Sequence, residues 1–152
     1  MEKDVNKIAE EVVSKIRHVC SRVKIAGSIR RGNQNPKDID IVCIPKDKEK
    51  LKVVMEKIGK YEQGGEHEST WNVKGVNVEL YYTNEKEWGA ELMAYSSKKG
   101  AGIGLRMIAK RKGLKLNQHG LFNRKTGKRI AGKTEEEIYK ALGRKYKTAR
   151  ER

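Results

Sequence analysis

Two aspartates one residue apart, Asp38-Ile39-Asp40, stand at the head of the apolar run Ile39 to Ile44. Side chains of a strand alternate between its faces, so both acids point the same way. Carboxylates side by side repel, and burying either without a partner costs several kcal/mol, on the order of the whole margin of a small domain. A cation is therefore expected beside them. Oxygen-only ligands in a short array suit a hard ion such as Mg2+, which keeps some waters and completes its shell from substrate phosphates. Upstream, the apolar segment Val23 to Ala26 reads as a strand running into a tight turn at Gly27-Ser28. The N–H groups and hydroxyl of such a turn, with Arg30 and Arg31 beside it, are built to hold phosphate. A phosphate holder next to metal-binding carboxylates points to phosphoryl or nucleotidyl transfer.

Charge narrows the acceptor. The 152 residues carry 35 Lys+Arg against 20 Asp+Glu, a formal charge of +15, and only 36% are hydrophobic. An excess of that size bears on partners rather than fold, and the expected partner of a basic chain with a phosphate site is nucleic acid. A lysine-rich surface that serves only solubility is the alternative reading. The length suits one domain or two small subdomains. Cys20 and Cys43 have no Cys-x-x-Cys or Cys/His grouping and read as small buried hydrophobes. No signal-peptide pattern or membrane-length apolar run is present, so the expectation is a soluble cytoplasmic monomer, nucleoid-associated or in a viral or host intracellular setting.

Along the chain, Val5, Ile8, Val12, Ile16 and Val19 recur at helical spacing over 4–20. Strands are expected at Arg22 to Ala26 and Lys37 to Pro45, and a helix at Asp47 to Ile58 closed by Gly59. Residues 60–68 read as a polar connection turning at Gly64-Gly65. Thr70 to Lys74 and Val76 to Tyr82 then alternate around Gly75 as a hairpin. In its second strand Val76, Val78, Leu80 and Tyr82 share one face, and Asn77, Glu79 and Tyr81 the other. If that strand pairs beside the Asp38-Asp40 strand, Glu79 joins the aspartates. Trp88, Leu92 and Tyr95 form a helical stripe, and Ile103 to Lys112 a further helix.

The stretch between them, Ser96 to Gly104, reads as a basic glycine-rich loop. It suits a phosphate backbone or a nascent base pair, and equally a flexible linker. Lys98 and Lys99 lie within it, and Lys110, Arg111 and Lys112 extend the basic surface. Leu114 to Phe122 reads as a short strand and turn, Arg124 to Lys128 as a hairpin tip, and Thr134 to Glu137 as a capping box opening a helix through Leu142. Gly143 ends it, leaving a basic tail. His18, His67 and His119 read as surface or packing residues.

Ala26-Gly27-Ser28, nine residues, then Asp38-Ile39-Asp40-Ile41 resembles the signature of the nucleotidyltransferase superfamily that includes polymerase beta. The fuller Gly27-Ser28-Ile29-Arg30-Arg31-Gly32 resembles its family X DNA polymerase branch. Separated matches follow in order: Glu87-Trp88-Gly89-Ala90, Leu105-Arg106, Lys112-Gly113-Leu114 with Leu116-Asn117, Gly120-Leu121-Phe122, and Thr134 to Ile138 with Ala141-Leu142-Gly143. The resemblance implies an α+β chain in the minimal palm-and-thumb form of the family. Its parts would be a nucleotidyltransferase palm over 1–83, with a mixed β-sheet and helices on one face, and a small α/β thumb-like subdomain over 84–152.

It also implies two Mg2+ ions, with Mn2+ as a substitute, held by Asp38, Asp40 and Glu79 as catalytic ligands. Gly27, Ser28 and Arg31 would meet the triphosphate. Ala94, Tyr95, Ser96, Ser97 and Gly102 would line the nucleotide. Lys98, Lys99, Arg106, Lys110, Arg111 and Lys112 would meet double-stranded or gapped DNA, with Arg106 near the template. The implied activity is DNA-directed short-gap filling in repair from deoxynucleoside triphosphates.

Three departures from the pattern bear on selectivity. The third carboxylate, usually Asp, is Glu79; the Tyr-Phe-Thr-Gly segment is Ala94-Tyr95-Ser96-Ser97; and Gly102 stands where an Asn usually reads the minor groove. Low fidelity is the expectation. The rival readings are a template-independent transferase acting on RNA ends or a small acceptor, and a non-catalytic nucleic-acid-binding module.

Overall fold

Asp4 opens the first helix, α1 (Val5–Ile16), its carboxylate accepting the Lys7 N–H at 3.1 Å. The computed structural model describes residues 4–152. Ile8, Ala9, Val12, Val13 and Ile16 make the buried stripe of α1, each large aliphatic among them contributing about 1.5–3 kcal/mol by leaving water. The expected helix to residue 20 stops early. Arg17–Val19 tighten into a 3-10 turn, and the Val19 carbonyl accepts the Lys46 N–H at 2.9 Å, drawing the chain into a sheet.

That sheet holds β1 (Cys20–Ile25), then, after the single helical turn α2 (Gly27–Arg30), β2 (Ile39–Pro45). The Gly27-Ser28 turn is thus one turn of helix. β2 begins after Asp38, which lies in a bend, because its partner β1 ends at Ile25 and the last bond between them runs from the Ala26 N–H to the Asp40 carbonyl. Helix α3 (Lys48–Ile58) follows, capped by Asp47.

Residues 60–64, expected within a polar connection, form the edge strand β3 (Lys60–Gly64). Every one of its side chains is exposed, so it has no alternation to read, and its Lys and Glu suit an edge that must not pair further. Tyr61 lies edge-on to Trp71, with ring centroids 5.2 Å apart. β4 (Glu68–Val73) and β5 (Val76–Tyr82) form the hairpin. Lys74 and Gly75 both have positive φ, 53° and 83°, as a type I′ turn needs. The strand order is β1-β2-β5-β4-β3, mixed because β2 and β5 run parallel. Ile39, Ile41, Val78, Leu80 and Trp71 join α1 and α3 in one core. Cys20 and Cys43 are buried free thiols.

The chain divides after Thr83 into two compact units, the second with its own core. It opens with α4 (Trp88–Ser96) and α5 (Lys99–Arg111). The glycine-rich stretch is therefore mostly helix, with Ser97 and Lys98 alone between the two. Buried Leu105 and Ala109 hold α5 through its apolar stripe, and that packing outweighs the low helix propensity of Gly100, Gly102 and Gly104.

β6 (Leu114–Asn117), β7 (Gly120–Asn123) and β8 (Arg129–Ala131) make an antiparallel sheet, and α6 (Glu135–Ala141) covers the core with Ile138, Tyr139 and the following Leu142. At the start of α4 the N–H groups of Gly89 and Ala90 are satisfied by the carbonyls of Lys133 and Gly132, at 3.1 and 3.0 Å. The Thr134 hydroxyl accepts the Glu137 N–H at 3.1 Å, while the reciprocal capping box is formed instead by Thr148 and Glu151. The basic tail is thus structured. Arg152 is buried, pairs with buried Glu135 at 2.7 Å and lies over the rings of Tyr139 and Tyr146.

Candidate active site

The acids are brought together by strand register. β2 and β5 pair in parallel with Asp40 directly beside Glu79 and Val42 beside Tyr81. Ile39, Ile41, Val78 and Leu80 face the core, so the alternation sends Asp40, Glu79 and Tyr81 to the other face. Asp38 lies exposed in the bend before β2, at the same parity as Asp40.

The phosphate turn is pressed against this pair. Gly27 has φ +61°, and a Cβ there would collide with the Asp40 carboxylate, so only glycine fits on both counts. The Ala26 N–H donates to the Asp40 carbonyl at 2.7 Å, tying the turn to β2. Ser28, Arg30 and Arg31 are half-buried around it. The Asn33 N–H closes back on the Ser28 carbonyl at 2.9 Å, and the Asn33 side chain accepts the Asn35 N–H at 2.9 Å.

Sequence reasoning missed Tyr81 as a member of this site, although it placed the residue on the face of Glu79. Tyr81 is buried, and its hydroxyl, with one proton to share, lies within hydrogen-bonding reach of both Asp40 Oδ1, at 3.3 Å, and Glu79 Oε2. The available signal was parity, since a residue two beyond Glu79 on one strand face reaches the same neighbours.

Burial pushes the Asp40 carboxyl above the ordinary carboxylate range. The charges of Glu79 and Asp38 add to that push, while the Tyr81 hydroxyl and Arg31 oppose it. Two acids in register, one unwilling to ionise and all donors oxygen, fit a hard divalent cation.

The second unit gathers other predicted residues. Ala94, Ser97, Lys98, Lys99, Gly102 and Arg106 line one cavity of about 260 Å³, closed on another side by Asn117 and Gln118. Tyr95 and Ser96 lie outside that lining, Tyr95 half-buried and Ser96 fully buried with no hydrogen-bond partner for its hydroxyl among the described residues. Lys110, Arg111 and Lys112 are exposed at the end of α5. His119, expected as a surface or packing residue, is hydrogen-bonded through Nδ1 to Glu87. No helix among the described residues is long and apolar enough to cross a membrane.

Residues 92–152 match the family described as the DNA polymerase beta thumb. Curated relatives include the repair DNA polymerase X of African swine fever virus. The protein of a Kenyan pig isolate is 26% identical over 147 residues, covering 90% of this chain and 84% of the relative. That of the Pretoriuskop tick isolate from South Africa is 27% identical over 158 residues, covering 97% and 91%.

Proposed function

Because the chain belongs to the family X DNA polymerases, we propose that it extends the 3′-hydroxyl of a DNA primer by two-metal nucleotidyl transfer, filling short gaps during repair. The observation that carries this reading is the Asp40 and Glu79 register, with Asp38 at its head and Gly27 in contact with the Asp40 carboxylate. Asp38, Asp40 and Glu79 would hold the Mg2+ ions. Bound there, the ions supply Lewis acidity to the attacking hydroxyl and to the leaving pyrophosphate.

The chain's own residues do the rest. Ser28 and the backbone of α2 receive the triphosphate, and Arg31 neutralises part of its charge. Glu79, beside Asp40 on the next strand, orients the hydroxyl or takes its proton, and Tyr81 fixes the direction of both carboxylates. The cavity of the second unit takes the incoming nucleotide, and its lysines with Arg106 take the DNA backbone.

Primer extension on a gapped duplex, compared with single-stranded DNA and with RNA ends, tests the assignment. Templated addition on the gap is the expected result. Untemplated addition to single-stranded or RNA ends would move the chain to the transferase reading, and binding without turnover to the binding-module reading.

Poor base discrimination is part of the proposal. Gly102 has open space where a Cβ would be and offers no group to read a base pair, and Ala94 presents only a methyl. Each missing contact of that kind forfeits about 1–3 kcal/mol of selectivity. Gly102→Asn, for which there is room, is expected to raise the ratio of correct to incorrect incorporation in single-turnover assays. High selectivity in the unmodified chain would refute this part.

A further inference from the structure

We infer that Glu87, Glu91 and His119 form a binding site for a borderline first-row divalent cation, Zn2+ foremost, within the C-terminal unit. One ligand atom from each residue lies within 4.8 Å of the other two. Glu87 precedes the first turn of α4 and Glu91 stands four residues on, so both carboxylates project from one face of the helix start. Ligands at i and i+4 are the spacing by which a single helix supplies two donors to one ion.

The third donor comes from the β6–β7 turn, and its backbone is fixed. The Asn117 side chain accepts the His119 N–H at 2.8 Å, and Arg129 Nη1 donates to the His119 carbonyl at 2.6 Å. Arg129 also lies over the Phe122 ring, 4.8 Å from its centroid. His119 directs Nδ1 at Glu87, and Asn84 Nδ2 donates to the other oxygen of that carboxylate at 3.2 Å.

The donor set decides the class of ion. One imidazole nitrogen and two carboxylates are the ligands of zinc and its first-row neighbours, whereas Mg2+ takes oxygen alone and keeps its waters. Glu91 is 5% exposed at the start of α4, whose other buried residues include Trp88, Leu92 and Met93. Three protein ligands leave a fourth tetrahedral position for water. The site also joins two walls of the 260 Å³ cavity, because Ala90, Met93 and Ala94 belong to α4 while Asn117 ends β6 and Gln118 follows it in the β6–β7 turn. A bound ion would fix the distance between those walls.

The test is calorimetric titration of Zn2+ into full-length Asp40→Asn protein with Mg2+ in large excess, which weakens the carboxylates of the first unit as competitors. One Zn2+ per chain is expected, with affinity reduced at least about tenfold by His119→Gln and by Glu91→Gln. His67→Gln should change nothing. Saturating Zn2+ should raise the Tm of the parent and leave that of His119→Gln unmoved. The His119 side chain is 45% exposed, so its variant carries the test even if Glu91→Gln fails to fold. Absence of saturable binding, or equal binding by parent and His119→Gln, overturns the proposal.

Discussion

Asp40 is caught between burial and the charge of Glu79, so its ionised form is disfavoured in the folded chain. Its folded pKa is raised, and the sign of the pH dependence follows. The contribution of the neutral acid is fully present below the unfolded pKa of about 4 and is lost as pH rises through the folded value. In a chelator-containing buffer, Asp40→Asn should therefore raise the Tm at neutral pH, and the gain should shrink to nothing as pH falls below the ordinary carboxylate range. Thermal scans across pH measure this, and a variant less stable than the parent at pH 7 would show that the ionised carboxylate is structurally required.

Tyr81 is the complementary case, since its hydroxyl reaches both Asp40 and Glu79. Groups that orient metal-binding carboxylates are worth about 10–100-fold in metal affinity. Tyr81→Phe should raise the Mg2+ concentration giving half-maximal extension by about that factor, with the rate at saturating Mg2+ changed only a few fold. A lower rate at every Mg2+ concentration with an unmoved midpoint would reduce Tyr81 to a packing residue.

At the level of elements, two glycines in neighbouring helices should respond oppositely to alanine. A Cβ on Gly104 would meet nothing within 4 Å, so Gly104→Ala should stabilise α5 by about 1 kcal/mol through helix propensity alone. A Cβ on Gly89 would run into the Thr134 backbone, and Gly89→Ala should cost about 1–3 kcal/mol or more by forcing α4 off that segment. Denaturant unfolding of both variants checks the pair, and like-signed changes would contradict it.

The same elements mark what was legible in advance. Period-two alternation in Val76 to Tyr82 and helical spacing in Val5 to Ile16 are consequences of burial on one face, so they can be read wherever one face is buried. β3 has no buried residue and is held by pairing with β4 and by the Tyr61 contact with Trp71, which leaves no alternation in its sequence. Gly100, Gly102 and Gly104 argue locally for a loop, and α5 forms because Leu105 and Ala109 find a core. The motif and strand parity put Asp38, Asp40 and Glu79 forward as candidates, and the register of β2 and β5 sets Asp40 beside Glu79. Tyr81 and the partnership of His119 with Glu87 depend on which strand or turn lies alongside, and spacing along the chain does not encode that.

For the molecule as a whole, the proposed assignment spreads DNA affinity over the many lysines and arginines behind the charge of +15 and rests the chemistry on three acids. Binding and catalysis should then be separable by one substitution. The decisive measurement takes the unmodified chain and Asp40→Ala through extension of a gapped duplex and through equilibrium binding of that same duplex. Loss of extension with duplex affinity unchanged within a few fold is the expected result, whereas extension that persists in Asp40→Ala would contradict the assignment of the catalytic site.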